Sequence, residues 1–211
     1  MAVLGYGMAE LDFSCACGAV RGVLRGPSPK TGMRYICHCD DCQAFARFLG
    51  APERWLDRHG GTDVFQTAAS RFEITLGASR LACVQVTDRP LLRWYADCCR
   101  TPIANTYGSA RRSFMSLILA GFDPRACDRA IGPPAGHVWT RYATGDIGRV
   151  RQANVAAILW RMASRMVGAR LSGDWRRNSF FDPATGDPVA APQRLTPAER
   201  LGLDEGFPKR A

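Results

Sequence analysis

Tyr35-Ile36-Cys37-His38-Cys39-Asp40-Asp41-Cys42-Gln43 places three thiols and an imidazole within six residues. The stretch follows a short apolar run, Met33–Ile36, and leads into a helical pattern through Ala44, Phe45 and Phe48 to Gly50. Asp40 or Asp41 is expected to cap that helix. A tight turn aims closely spaced side chains at one point, so thiols one or two residues apart can meet a single metal ion. Zinc favours such thiolates, converging at about 2.3 Å. Upstream, Cys15-Ala16-Cys17-Gly18 repeats the device with two thiols, and Gly18 lets the backbone bend behind them. Downstream, Cys98-Cys99 forms a third cluster. Of the nine cysteines only Cys83 and Cys127 stand alone. Cys83 reads as core on an apolar strand, and Cys127 falls in an expected loop with no assigned role.

Composition limits what these thiols can be. A chain of 211 residues can bury a core without disulfide staples. With 46% hydrophobic and 22% charged residues it is neither disordered, collagenous nor a coiled coil. The N-terminal residues show no export pattern. The longest apolar run, about Phe114–Phe122, is half of what a spanning helix needs. A cytoplasmic location with no membrane partner is therefore expected, and in a reducing compartment clustered thiols read as ligands or reactive groups.

The net charge of +9 is almost all arginine, since only Lys30 and Lys209 are lysines. Eight basic and two acidic residues fall in 141–177, so the excess is local. Without an accompanying recognition motif, this stretch reads as a solvated helix face rather than a nucleic-acid site.

Along the chain, short strands are expected at Leu11–Phe13, Ala19–Leu24, Met33–Ile36, Val64–Thr67, Arg71–Leu76, Leu81–Thr87, Leu91–Ala96 and Phe114–Ala120. A helical turn is expected at Pro52–Leu56. A longer helix is expected over about Val150–Arg170, with Val155, Ile158, Leu159, Met162 and Met166 as its docked face. Thr196-Pro197-Ala198-Glu199 is a capping box that announces a last short helix. The expected class is mainly β with short helices. Residues 1–140 form a zinc-binding β domain, and residues 141–211 a helical and irregular extension packed on it.

Cys15-x-Cys17-Gly18-x-Val20-x-Gly22, followed by Cys37-His38-Cys39-x-x-Cys42-Gln43, resembles the glutathione-dependent formaldehyde-activating enzyme family, which includes centromere protein V-like proteins. The resemblance covers roughly residues 11–122. It implies a β-tent fold and two zinc sites. In the family's third motif an aromatic residue precedes C-x-x-C-Gly-Thr. The matching stretch here is Tyr95-Ala96-Asp97-Cys98-Cys99-Arg100-Thr101, so a ligand position falls on Ala96 and the glycine is Arg100. The implied structural site holds Cys15, Cys17 and Cys99, with Cys98 as the substitute for the missing ligand. The implied second site is Cys37, Cys39 and Cys42. Three ligands leave one tetrahedral position open, as in catalytic zinc sites.

By this resemblance the chain is a carbon–sulfur lyase-type enzyme acting on an adduct of glutathione, or another thiol, with an aldehyde. His38 is expected to make a structural hydrogen bond, with a proton-shuttling role as the alternative. Arg34 or Arg47 are candidates for holding glutathione carboxylates. The contrasting reading is a non-enzymatic, zinc-stabilised binding module that uses the basic 141–177 region. The sequence leaves the oligomeric state open.

Overall fold

A computed structural model describes residues 9–204. The expectations for the extreme N-terminus, and Lys209, lie outside the described residues. The chain is mainly β, with two sheets and a few short helices. In the smaller sheet β1 (Glu10–Ser14), β2 (Arg21–Arg25) and β5 (Phe72–Leu76) run antiparallel in the order β1-β2-β5. The larger sheet is built around β3 (Gly32–Cys37), β4 (Thr62–Thr67), β6 (Leu81–Gln85), β7 (Leu91–Ala96), β8 (Thr101–Tyr107) and β9 (Met115–Ile118). Its full order is β10-β3-β4-β9-β8-β7-β6-β11. The two-residue strands β10 (His137–Val138) and β11 (Gln193–Arg194) pair parallel to β3 and β6 and close its edges.

Alternation decides which face is inside. In β1, Leu11 and Phe13 are buried while Glu10, Asp12 and Ser14 are exposed. The two sheets meet through stacked and edge-on rings. Phe13 packs on Phe72 and Phe122 at 5.9 and 5.4 Å, Phe72 on Phe180 at 6.1 Å, and Phe180 on Trp94 at 4.9 Å. Trp94 satisfies its buried indole by donating to Thr106 Oγ1 at 2.8 Å. Phe180 and Phe181, from beyond residue 140, are part of this core.

The strand readings are matched within a residue or two, but β8 was not anticipated. It is a central strand, and Pro102 within it argues against one. A register shift resolves the conflict: Tyr95 pairs with Pro102 and Trp94 with Ala104, so Ile103 is the extra residue of a bulge.

The helices are α1 (Asp40–Phe48), α2 (Pro52–Trp55), α3 (Pro124–Ile131), α4 (Val155–Ser172) and α5 (Pro197–Gly202). The capping box of α5 is present as read. Three expectations need correction. Cys39, not an aspartate, occupies the N-cap of α1 and makes no side-chain cap, while Asp40 and Asp41 lie in the first turn. Cys127 sits on α3, capped by Asp123 with Pro124 at the first position, and is buried rather than in a loop. In α4, Ile158 and Ala169 are buried and Met162 and Met166 half-buried, whereas Val155 and Leu159 are exposed. Trp160 and Leu171 on the same helix are 74% and 83% exposed. Apolar residues occupy more than one side of this helix, so periodicity alone does not select the docked side.

Candidate metal centres and thiol cavity

The turn between β1 and β2 brings up Cys15 and Cys17, and the turn between β7 and β8 brings up Cys98 and Cys99. Gly18 N–H donates to Cys15 O at 2.8 Å, closing a turn in which Gly18 adopts φ +76°, a left-handed conformation that favours glycine. Thr101 ties the two turns together, because its Oγ1 accepts from Ala16 N at 3.0 Å and lies 3.1 Å from Cys99 Sγ. Arg100 takes φ +59° where the resembled motif has glycine. Its guanidinium donates to Phe48 O at 2.8 Å and lies over the Phe48 and Tyr95 rings.

All four sulfurs lie within 4.8 Å of one another. Cys17 and Cys98 are 3.3 Å apart, Cys15 and Cys17 3.6 Å, and Cys98 lies 3.9 Å from both Cys15 and Cys99. Four thiolates at 2.3 Å from a tetrahedral zinc lie about 3.8 Å apart. The cluster thus has the dimensions of a four-sulfur metal site, and Cys98 is inside it. Burial pushes the Cys99 thiol up, but hydrogen bonds from Thr101 and from the Cys17 and Cys15 side outweigh it and bring the pKa to about 6. Cys98 is pushed up to about 12 by desolvation and by the neighbouring thiols.

Cys37 ends β3, Cys39 caps α1 and Cys42 lies in its first turns, so a strand-to-helix corner gathers the second cluster. Cys37 Sγ is 3.5 Å from Cys39 Sγ and 3.8 Å from Cys42 Sγ, and all three sulfurs lie within 4.8 Å of one another. The same sulfur spacing fits a metal ion, here with three ligands. Hydrogen bonds from Cys37 and Cys39, then the charge of Arg93, hold the Cys42 thiol well below its usual value despite its burial. Cys37 is raised by the same contacts and by burial.

A cavity of about 130 Å³ opens against these thiols. Cys37, Cys39 and Cys42 line it with Arg93, Asn105 and Ser116, and Val64, Leu91 and Phe114 supply apolar wall. Sequence reasoning missed Arg93. It is 3% exposed and donates through Nη1 to Asn105 Oδ1 at 3.0 Å and to Cys42 Sγ at 3.6 Å. A lone arginine inside the apolar run Leu91-Leu92-Arg93-Trp94-Tyr95-Ala96 was the available signal, because a charge on a central strand needs a buried partner.

The other polar candidates are placed elsewhere. His38 points away from the thiols: its Nδ1 donates to His59 O at 3.1 Å, which fixes the neutral tautomer, and its Nε2 accepts from His137 Nδ1 at 2.9 Å. Burial lowers its pKa. With His38 N–H donating to Val138 O, the ring fastens β10 to β3. Arg34 is engaged by Asp63, Asp128 and the Gly132 carbonyl, and Arg47 by Asp204, the Leu203 carbonyl and Gln43. Neither lines the thiol cavity. Cys83 is buried and contacts Ala190 O at 3.4 Å, as a core thiol. No described helix is long and apolar enough to cross a membrane.

The sequence profile of a family of unknown function, DUF6151, matches residues 8–192. No curated protein matches the chain. A crystal structure of a Rhodobacter sphaeroides protein, 21% identical, aligns over 57% of this chain and 97% of its own, with a TM-score of 0.35.

Proposed function

The chain belongs to the DUF6151 family, whose function is unknown, and from its three-thiol cavity we propose a zinc-dependent carbon–sulfur lyase-type activity on a thiol–aldehyde adduct. The observation that carries this reading is the pairing of a three-sulfur cluster with an adjoining cavity. A fully ligated structural site has no need of such a space. Zinc at Cys37, Cys39 and Cys42 would act as a Lewis acid that lowers the pKa of an incoming thiol. In the lyase direction the adduct's carbon–sulfur bond breaks, sulfur leaves as thiolate, the hydroxyl proton passes to solvent and a carbonyl forms. No oxidant is needed. Val64, Leu91 and Phe114 would restrict water around the adduct, while Arg93 and Asn105 supply fixed polarity beside the sulfurs.

On this reading Cys15, Cys17, Cys98 and Cys99 form the structural site, joining the turn of one sheet to the turn of the other. The resemblance to the glutathione-dependent formaldehyde-activating family supports the same division of labour. Residues 1–140 are then the site-bearing β domain, and the extension that begins at 141 contributes Phe180 and Phe181 to its core. A cytoplasmic setting suits seven clustered reduced thiols.

The test compares wild type with a variant carrying Cys37→Ser, Cys39→Ser and Cys42→Ser. The variant should stay folded, lose one of two zinc equivalents, and lose all thiol-releasing activity on an S-hydroxymethyl thiol. Loss of folding, or a fourth protein ligand on that zinc, would overturn the assignment. A second reading, a binding module for an acidic partner, is favoured by the exposure of Arg149, Arg151, Arg170, Arg176 and Arg177. It requires association that weakens steeply with salt, and absence of binding to single-stranded DNA or RNA at low salt would remove its nucleic-acid form.

A further inference from the structure

Arg93 carries more hydrogen-bonding capacity than the protein uses. A guanidinium has five N–H donors. Nη1 is engaged with Asn105 and Cys42, but the buried Nε has no partner, and Nη2 has only a 3.7 Å ion pair to Asp41. Asp41 does not account for the arginine, because Arg89 at 3.5 Å and Arg200 at 4.0 Å also serve that carboxylate. Arg200 also leaves a buried Nε without a partner, and Arg93 Nε is itself closed to water, so what distinguishes Arg93 is the weakly engaged Nη2 of a guanidinium that lines a cavity. The cavity that Arg93 lines is also small. At about 130 Å³ it is well short of the ~300 Å³ where pockets for drug-sized ligands begin. The cavity opens to solvent, so a tripeptide thiol could insert only its thiol end, whereas a compact thiol is enclosed whole.

We propose that the thiol cavity is specific for a compact thiol bearing a carboxylate, whose anionic oxygens complete Arg93 while its sulfur meets Cys37, Cys39 and Cys42. This rests on the metal-site reading above and narrows its substrate from glutathione to a small acid thiol. The apolar wall of Val64, Leu91 and Phe114 leaves Arg93 as the cation lining the cavity. Arg93 is thus a specificity-determining residue. A charge-assisted hydrogen bond in such a site is worth at least about tenfold in affinity.

The experiment loads the full chain with cobalt and follows sulfur-to-cobalt charge-transfer absorbance during titration with mercaptoacetate, 2-mercaptoethanol or glutathione at matched thiolate concentration. Mercaptoacetate should half-saturate at a concentration at least tenfold below the other two. Arg93→Gln and Arg93→Met should erase that margin, and Arg93→Lys should retain part of it. Because mercaptoacetate can also chelate cobalt directly, the arginine variants separate that effect from recognition. Equal half-saturation by mercaptoethanol, tightest binding by glutathione, or a margin that survives Arg93→Met would overturn the proposal. If the variants unfold, mercaptoacetamide replaces them on the wild-type protein: it keeps the chelating carbonyl without the charge, it should half-saturate at least tenfold above mercaptoacetate, and equal half-saturation would overturn the proposal. Failure of the metal-site reading would show differently, as a cobalt spectrum unchanged by the Cys37/Cys39/Cys42 serine variant. In that case calorimetry on metal-free protein still tests Arg93, with mercaptoacetate expected to bind and mercaptoethanol not.

Discussion

Cys98→Ser separates a metal ligand from a merely well-placed thiol. Cys98 is exposed, so without metal the substitution removes little packing and should cost no more than about 0.5 kcal/mol. Its sulfur nevertheless lies within 3.9 Å of Cys15, Cys17 and Cys99, in the position of a fourth ligand. If zinc affinity falls about a hundredfold without it, zinc-bound protein loses about 2.7 kcal/mol of linked stability. At roughly 2–4 °C per kcal/mol for a chain of this size, the melting temperature should drop by about 5–10 °C. Scanning calorimetry of both proteins, with zinc and with excess chelator, reads this as a cycle. The gap should open in zinc and close in chelator. Cys83→Ser, at a buried thiol that belongs to neither cluster, should show the same deficit in both buffers. A Cys98→Ser gap of equal size with and without chelator, or no gap in zinc, would refute the reasoning.

Other expectations follow from packing and charge. Arg34→Met leaves Asp63 and Asp128 without their buried cation and should cost about 2–3 kcal/mol in urea unfolding. The cost is below that of a fully buried pair because both carboxylates reach solvent. Gly32→Ala should cost about 1–3 kcal/mol, read as a lower urea midpoint, since its Cβ would run into the buried Phe65 ring. The Glu199 carboxyl is held below its usual value by the Thr196 backbone and hydroxyl. The α5 capping box should therefore be intact above the ordinary glutamate range and be lost only as pH falls through the lowered value. The Thr196 amide shift should report that midpoint, and should lose its titration in Glu199→Gln.

The sequence disclosed what depends on neighbours along the chain. The strand expected at Leu91–Ala96 has the limits of β7. The C-x-C and C-x-C-x-x-C spacings are local geometry, so the three-thiol cluster could be read from its own six residues. What stayed hidden depends on distant partners. Pro102 disguises β8 because the bulge that accommodates it exists only against β7. Arg93 gains its meaning from Asn105 on the next strand and from Asp41 and Cys42 on α1. The exposed side of α4 depends on what the rest of the chain leaves uncovered, which a helix with apolar residues on more than one side does not encode.

The two thiol clusters differ in the length of chain each must close. Cys37 and Cys42 are five residues apart, whereas Cys17 and Cys98 are separated by 81. Closing a long loop carries more chain entropy than closing a short one. The three-thiol segment can thus gather a metal ion early, while the chain is still unfolded. The four-thiol cluster exists only after both sheets have formed and met. Metal added during refolding should then be captured in sequence, with the local site filling first and the inter-sheet site reporting the final step of assembly.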